Sequence, residues 1–181
     1  MQKYGLALLL TMPVISHAET VHFVDVGITS QDSFKGYAVG YTGVINERLA
    51  LGIGHSRASK DGQDVSATTA GFNFGFQSFD TGSVLFGMGI ANVSGSSQTV
   101  STNLNDIELD TSGSSIYGEI GYAKLSGEGV DYKVSLVTMD GENSVSASIR
   151  LPAKNPRGGW KLGVATDGTT TAVSVGVSLT F

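Results

Sequence analysis

The last nine residues, Val173-Ser174-Val175-Gly176-Val177-Ser178-Leu179-Thr180-Phe181, alternate an apolar side chain with a small or polar one without a break. Successive side chains on a strand point to opposite faces, so this stretch has one aliphatic face that ends in an aromatic ring and one face of Ser, Gly and Thr. The same period runs back through the chain. Over 83–93, Val84, Phe86, Met88 and Ile90 share one parity, and Leu85, Gly87, Gly89 and Ala91 share the other. Over 70–77, Phe72, Phe74 and Phe76 stand opposite Gly71, Asn73 and Gly75. Tyr37/Val39/Tyr41, Leu49/Leu51/Ile53, Ile116/Ile120/Tyr122, Tyr132/Val134/Leu136 and Val145/Ala147/Ile149 repeat the pattern. No stretch of similar length carries a capped stripe of period 3.6, so the chain reads as all-β.

Composition narrows the setting. The 181 residues include 25 Gly, 3 Pro and no Cys, with 40% hydrophobic and only 15% charged residues. The missing cysteine excludes a disulfide scaffold, a thiolate zinc site and a cysteine nucleophile. A net charge of −5 with no basic run argues against nucleic-acid binding. No cofactor motif is read. A mean hydropathy of +0.10 in a chain with so few charges requires an apolar face turned toward something other than water.

Residues 1–18 read as a secretory signal peptide: Lys3 is the n-region, 6–15 the short apolar h-region, and Ser16-His17-Ala18 the small-x-small cleavage site. The apolar run is about half the ~20 residues that a spanning helix needs. The domain that follows, 19–181, keeps 10 basic and 16 acidic residues and has no second helical span. For an exported, apolar, helix-free chain the remaining membrane solution is a closed β-barrel.

Turn chemistry divides the strands at 31–33, 46–47, Lys60-Asp61-Gly62, 80–82, 127–129, Asp140-Gly141, 155–159 and Asp167-Gly168. One connection, 95–114, is long and polar. The marks give ten strands, at about 21–29, 34–44, 48–58, 64–76, 82–94, 115–123, 130–139, 143–151, 159–166 and 170–181. An even count returns both termini to one side of a membrane. A soluble sandwich would carry charges opposite its apolar face, whereas here that face is Gly, Ala, Ser and Thr, which suits the cramped interior of a narrow barrel. The expected architecture is an antiparallel up-and-down transmembrane barrel of about ten strands. Eight is the alternative, because the strands near 143–151 and 159–166 are short for a tilted span.

Phe181 behind Leu179, Val177 and Val175 on one face, together with a cleavable leader, resembles bacterial outer-membrane barrels, closest in size to the small OmpA/OmpX-like class. The resemblance implies that Val175, Val177, Leu179 and Phe181 are the signal read by the barrel assembly machinery. It also implies an outer-membrane location, with outer-membrane lipid and lipopolysaccharide as partners. The members of that class have eight strands. With a periplasmic N-terminus, the links near 46, 80, 126 and 155 become short periplasmic turns, and those near 32, 62, 104, 141 and 168 face outward. Tyr41, Phe76, Tyr122, Tyr132 and Trp160, with Phe181, then cluster as a periplasmic aromatic girdle.

Parity places Asp25, Glu119, Asp131, Lys133, Arg150 and Lys161 on the inward face, where three acids and three bases should pair as a structural network, since unpaired buried charges are costly. The alternative is a polar path of a narrow, porin-like passive channel. His55-Ser56 is the one His–Ser adjacency after the leader, but neighbours on a strand face opposite ways and cannot form a nucleophile–base pair locally. A surface hydrolase centred on His55, near Asp61 and Asp64, is therefore the third reading, and no metal site is assigned. Asp106, Glu108 and Asp110 alternate along the long loop without the glycine and terminal bidentate Glu of a calcium loop. The leading function is structural or surface-interacting, with loop 95–114 as the working surface for a ligand.

Overall fold

The computed structural model describes residues 21–31, 34–46, 49–79, 81–95, 98–101, 106–109, 113–124, 129–154 and 157–181. The expected signal peptide, 1–18, lies outside the described residues. The strands are β1 His22–Gln31, β2 Phe34–Asn46, β3 Leu49–Lys60, β4 Gln63–Phe79, β5 Gly82–Gly95, β6 Gln98–Ser101, β7 Asp106–Leu109, β8 Gly113–Lys124, β9 Asp131–Met139, β10 Glu142–Pro152, β11 Gly158–Thr166 and β12 Thr171–Thr180.

Ten of these close into one antiparallel barrel in the order β1-β12-β11-β10-β9-β8-β5-β4-β3-β2. The closing pair runs in register from Phe23↔Thr180 to Gln31↔Ala172. Two further main-chain bonds extend it, His22 N to Phe181 O at 3.0 Å and Phe181 N to His22 O at 3.1 Å. Closure leaves the barrel no edge strand, which satisfies the ladder groups without water.

Two details differ from the sequence reading. The strands near 143–151 and 159–166 are longer than their apolar cores: β10 has 11 residues and β11 has 9. Their ladder continues through Leu151↔Trp160 to Pro152↔Gly159, past the last alternating aliphatic, because main-chain pairing does not need an apolar side chain. Loop 95–114 is also not all coil. β6 and β7 pair there as a separate ribbon, with Val100 opposite Ile107. The alternation Asp106-Ile107-Glu108-Leu109, which spaces two carboxylates, is equally a strand pattern. The side chains of Asp106 and Glu108, and Asp110 entirely, lie outside the described residues.

Two hairpins turn on Asp-Gly with both residues at positive φ: Asp61 (51°) with Gly62 (80°), and Asp140 (53°) with Gly141 (80°). This is the primed turn whose twist matches the flanking strands, and glycine takes its second position without a Cβ penalty.

The two faces differ sharply. The outward face carries Val26, Ile28, Ile53, Ile90, Ile116, Leu136 and Val175, with Ile28 70% and Ile116 69% exposed. Aliphatics this exposed on every side of the wall exclude a water-facing surface of ordinary composition. The inward face is mostly small and polar, with Phe23, Val44, Val65 and Leu85 buried among these residues.

Candidate functional site

The barrel interior gathers the charges. Asp25 on β1, Glu119 on β8, Asp131 and Lys133 on β9, Arg150 on β10 and Lys161 on β11 share the inward parity of their strands. They meet as three pairs. Lys133 Nζ lies 2.6 Å from Glu119 Oε1. Arg150 Nη1 donates to Asp131 Oδ2 at 3.2 Å, and Lys161 Nζ donates to Asp25 Oδ2.

Register accounts for the partners. Arg150 is directly opposite Asp131. Lys161 and Asp25 are separated by β12, whose inward positions there are Gly176 and Ser178, small enough to let the pair cross. Arg150 has two further supports: Nη2 donates to Thr180 Oγ1 at 2.9 Å, and its guanidinium carbon lies 6.0 Å from the Phe23 ring centroid. The pairs differ in wetness. Asp131, Lys133 and Arg150 are buried, whereas the side chains of Lys161 and Asp25 are 19% and 20% exposed.

Near the end of the barrel that holds both termini, Asp131 and Arg150 belong to a ring of buried inward positions. Phe23, Val44, Ala50, Asn73, Leu85, Ala123, Asp131, Arg150 and Ser178 are all buried, as is Gly159 on β11. Val44 faces Ala50 and Ala50 faces Asn73, while Arg150 faces Asp131 and Gly159 faces Ser178. Each of the ten barrel strands therefore contributes one buried inward position. Five of its ten positions, Phe23, Val44, Ala50, Leu85 and Ala123, are apolar and two, Asp131 and Arg150, are ionic, so the charges alone do not form the floor.

Higher in the lumen, Tyr117 lies across a bed of glycines. A Cβ at Gly89 would fall 2.7 Å from the Tyr117 ring, and one at Gly71 would meet its hydroxyl. Only glycine lets the ring lie so close to the wall.

On the outside, Tyr41, Phe76, Tyr122, Tyr132 and Trp160 sit on outward positions toward the terminal end, and Phe181 is 63% exposed beyond β12. Residues not singled out in the sequence join them. His22 stacks between Tyr41 and Phe181, with ring centroids 5.9 and 5.8 Å away, and His22 Nδ1 lies 2.7 Å from the Tyr41 hydroxyl. Phe79 and Tyr122 are 6.5 Å apart, Tyr122 and Tyr132 6.3 Å, and the Tyr132 hydroxyl donates to the Thr81 carbonyl at 2.8 Å. His22 could have been found from the sequence, since it has the outward parity of Val24 and Val26 next to the expected closing strand. Its stacking with Tyr41 and Phe181 could not, because those rings come from other strands.

At the opposite end His55 points outward, with Nδ1 3.0 Å from Thr68 Oγ1, while Ser56 is buried on the inward face. The two side chains are on opposite sides of the wall. In the β11–β12 turn Asp167 Oδ1 accepts from Thr169 N at 2.8 Å and Thr170 N at 2.7 Å. These main-chain bonds hold its carboxyl below the ordinary aspartate range.

No protein-family model matches the sequence, and no curated protein matches it. Solved structures similar to the chain include the N-terminal β-barrel domain of Pseudomonas aeruginosa OprF, at 12% identity over 92% of this chain and 100% of that one, TM-score 0.46. A KdgM porin in complex with disordered oligogalacturonate matches at 12% identity over 88% and 99%, TM-score 0.47. The outer membrane protein OprG from Pseudomonas aeruginosa matches at 10% identity over 93% and 99%, TM-score 0.43. The barrel itself is established by its own closed ladder.

Proposed function

We propose that the chain is an integral outer-membrane barrel that works through its outward loop end and has a lumen closed to solutes. The ring of buried inward positions on all ten strands carries this reading. A passive channel needs a continuous wet path, and a buried inward position on every strand at one end of the barrel argues against one. The exposed aliphatic wall and the one-sided aromatic girdle support residence in a bilayer, where amphipathic rings gather at the interface. The leader at 1–18 and the alternating last strand ending on Phe181 fit export followed by recognition by the assembly machinery. Lipid and lipopolysaccharide surround the wall, and loop 95–114 with its β6–β7 ribbon is the surface offered to a ligand. The separation of His55 from Ser56 across the wall supports a non-catalytic role.

Fractionation should recover the protein with the outer membrane, migrating faster on gels before heating than after. Planar bilayers containing it should show no single-channel steps. Replacing 96–112 by a short turn should preserve the gel shift while abolishing attachment to the surface ligand, because closure depends on the ladder and not on the loop. Reproducible conductance steps from the wild-type barrel would replace this reading with the channel.

A further inference from the structure

The buried ring near the terminal end gives every strand a common starting height. Five residues from it toward the loop end, the outward position is aliphatic on seven strands, from Ile28 on β1 to Val173 on β12, and Gly118 on an eighth. The two exceptions are neighbours. β3 has His55 there and β4 has Thr68, register partners whose Nδ1 and Oγ1 are 3.0 Å apart. The next row of the ladder is polar across four strands: Tyr37 faces Arg57, Arg57 faces Ser66, and Ser66 faces Ser94. A polar notch is therefore cut into the apolar belt on one side of the barrel.

With His55 and Asp64 these side chains line a groove of about 360 Å3. Arg57 Nη2 donates to Asp64 Oδ2 at 2.6 Å, and the two side chains are 53% and 49% exposed. The pair cancels, so the groove draws neither a free anion nor a free cation. Two opposite charges side by side instead complement a surface that presents them in reverse order. Lipid tails return no hydrogen bond to the second nitrogen of His55 or to the guanidinium, so in a bilayer this notch gains from a polar cover. Just below it, Ala70 sits between Ile53 and Ile90 in its row and leaves a dip in the wall.

We propose that the notch is the contact face of a symmetric dimer of this chain. Both copies cross the membrane in one orientation, so the two-fold axis runs along the barrel axis. Placed between β3 and β4, it sets β3 of one copy against β4 of the other. Register then names the contacts. Ile53 fills the dip at the partner's Ala70, and His55 meets the partner's Thr68. Arg57 meets the partner's Ser66 and, beyond it, the partner's Asp64. The same axis sets β5, and the acidic connection that leaves it, against the partner's β2, where Lys35 is exposed. The inference rests on membrane residence, and the test separates the two.

The full chain is refolded into phosphatidylcholine vesicles, and association is read by energy transfer between donor- and acceptor-labelled copies. The dyes are attached through Asn143→Cys on β10, across the barrel, in a chain with no cysteine of its own. Absence of the heat-dependent gel shift would mean no insertion and would sink membrane residence itself. After insertion, energy transfer should rise with the protein-to-lipid ratio. Arg57→Glu alone, or Asp64→Arg alone, places like charges across the axis twice and should raise the ratio needed for half-association about tenfold. Mixed in equal amounts, the two variants should associate with each other, because only the mixed pair restores opposite charges across the axis. That rescue cannot come from the pair within one copy, which is broken in both variants. An inserted wild type that stays monomeric at every ratio overturns the dimer, and greater stability of that monomer in short-chain phosphatidylcholine would assign the notch to a thinned bilayer. Association unchanged in the single variants, or not restored on mixing, overturns it as well.

Discussion

Asp131→Asn tests the ionic pair in the barrel floor. The carboxylate is 0% exposed, and its partner Arg150 is 5% exposed. Removing one member of such a pair strands the other charge in a dry site, at a cost of about 3–5 kcal/mol. Three features reduce that figure here. The Asn side chain keeps the volume and an acceptor oxygen opposite Arg150. Arg150 also keeps its 2.9 Å bond to Thr180 and its place 6.0 Å from the Phe23 ring. A retained bond to a charged group contributes about 1.5–3 kcal/mol. The expected net loss is therefore about 2–3 kcal/mol. Adding Arg150→Met removes the stranded charge and fills its stem volume with apolar atoms, so the double variant should recover most of the loss. The assay is urea unfolding in phosphatidylcholine vesicles, followed by fluorescence of Trp160, the single tryptophan, which is 58% exposed on the outer wall. A single variant within ~0.5 kcal/mol of wild type would refute the dry floor. So would a double variant less stable than the single.

His22→Ala removes the ring stacked between Tyr41 and Phe181 at the closing seam and should cost ~1–2 kcal/mol by the same unfolding assay, with slower refolding into vesicles. Gly89→Ala places a Cβ against the Ala70 carbonyl and the Tyr117 ring, with an expected loss of ~1–3 kcal/mol; unchanged stability would mean that Tyr117 shifts freely in the lumen. Asp167 has a folded carboxyl below the ordinary value, so its hold on the β11–β12 turn is complete above the unfolded value of ~3.9 and is lost as pH falls through the folded one. Protection of the Thr169 and Thr170 amides should follow that titration in wild type and should lose its pH dependence in Asp167→Ala.

The sequence alone settles whatever depends on neighbours along the chain. The unbroken alternation of 173–181 makes a strand with one apolar face, because side chains alternate on any pleated backbone. Asp61-Gly62 and Asp140-Gly141 make tight turns, because few residues accept positive φ at both positions. The same parity sends Asp131, Lys133 and Arg150 to the face opposite Val134 and Ile149 before any fold is known. It could equally have assigned Arg57 to the outward face with Ile53 and His55. What it cannot supply is the partner of a side chain across strands far apart in the chain. Lys161 reaches Asp25, 136 residues away, only because closure places β1 beside β12. Likewise Phe23, Leu85 and Ala123 become a floor only when ten strands bring their inward positions to one level. The row Tyr37–Arg57–Ser66–Ser94 exists only in the register of four strands. Period fixes the face on which a residue lies, while closure and register fix what it meets there.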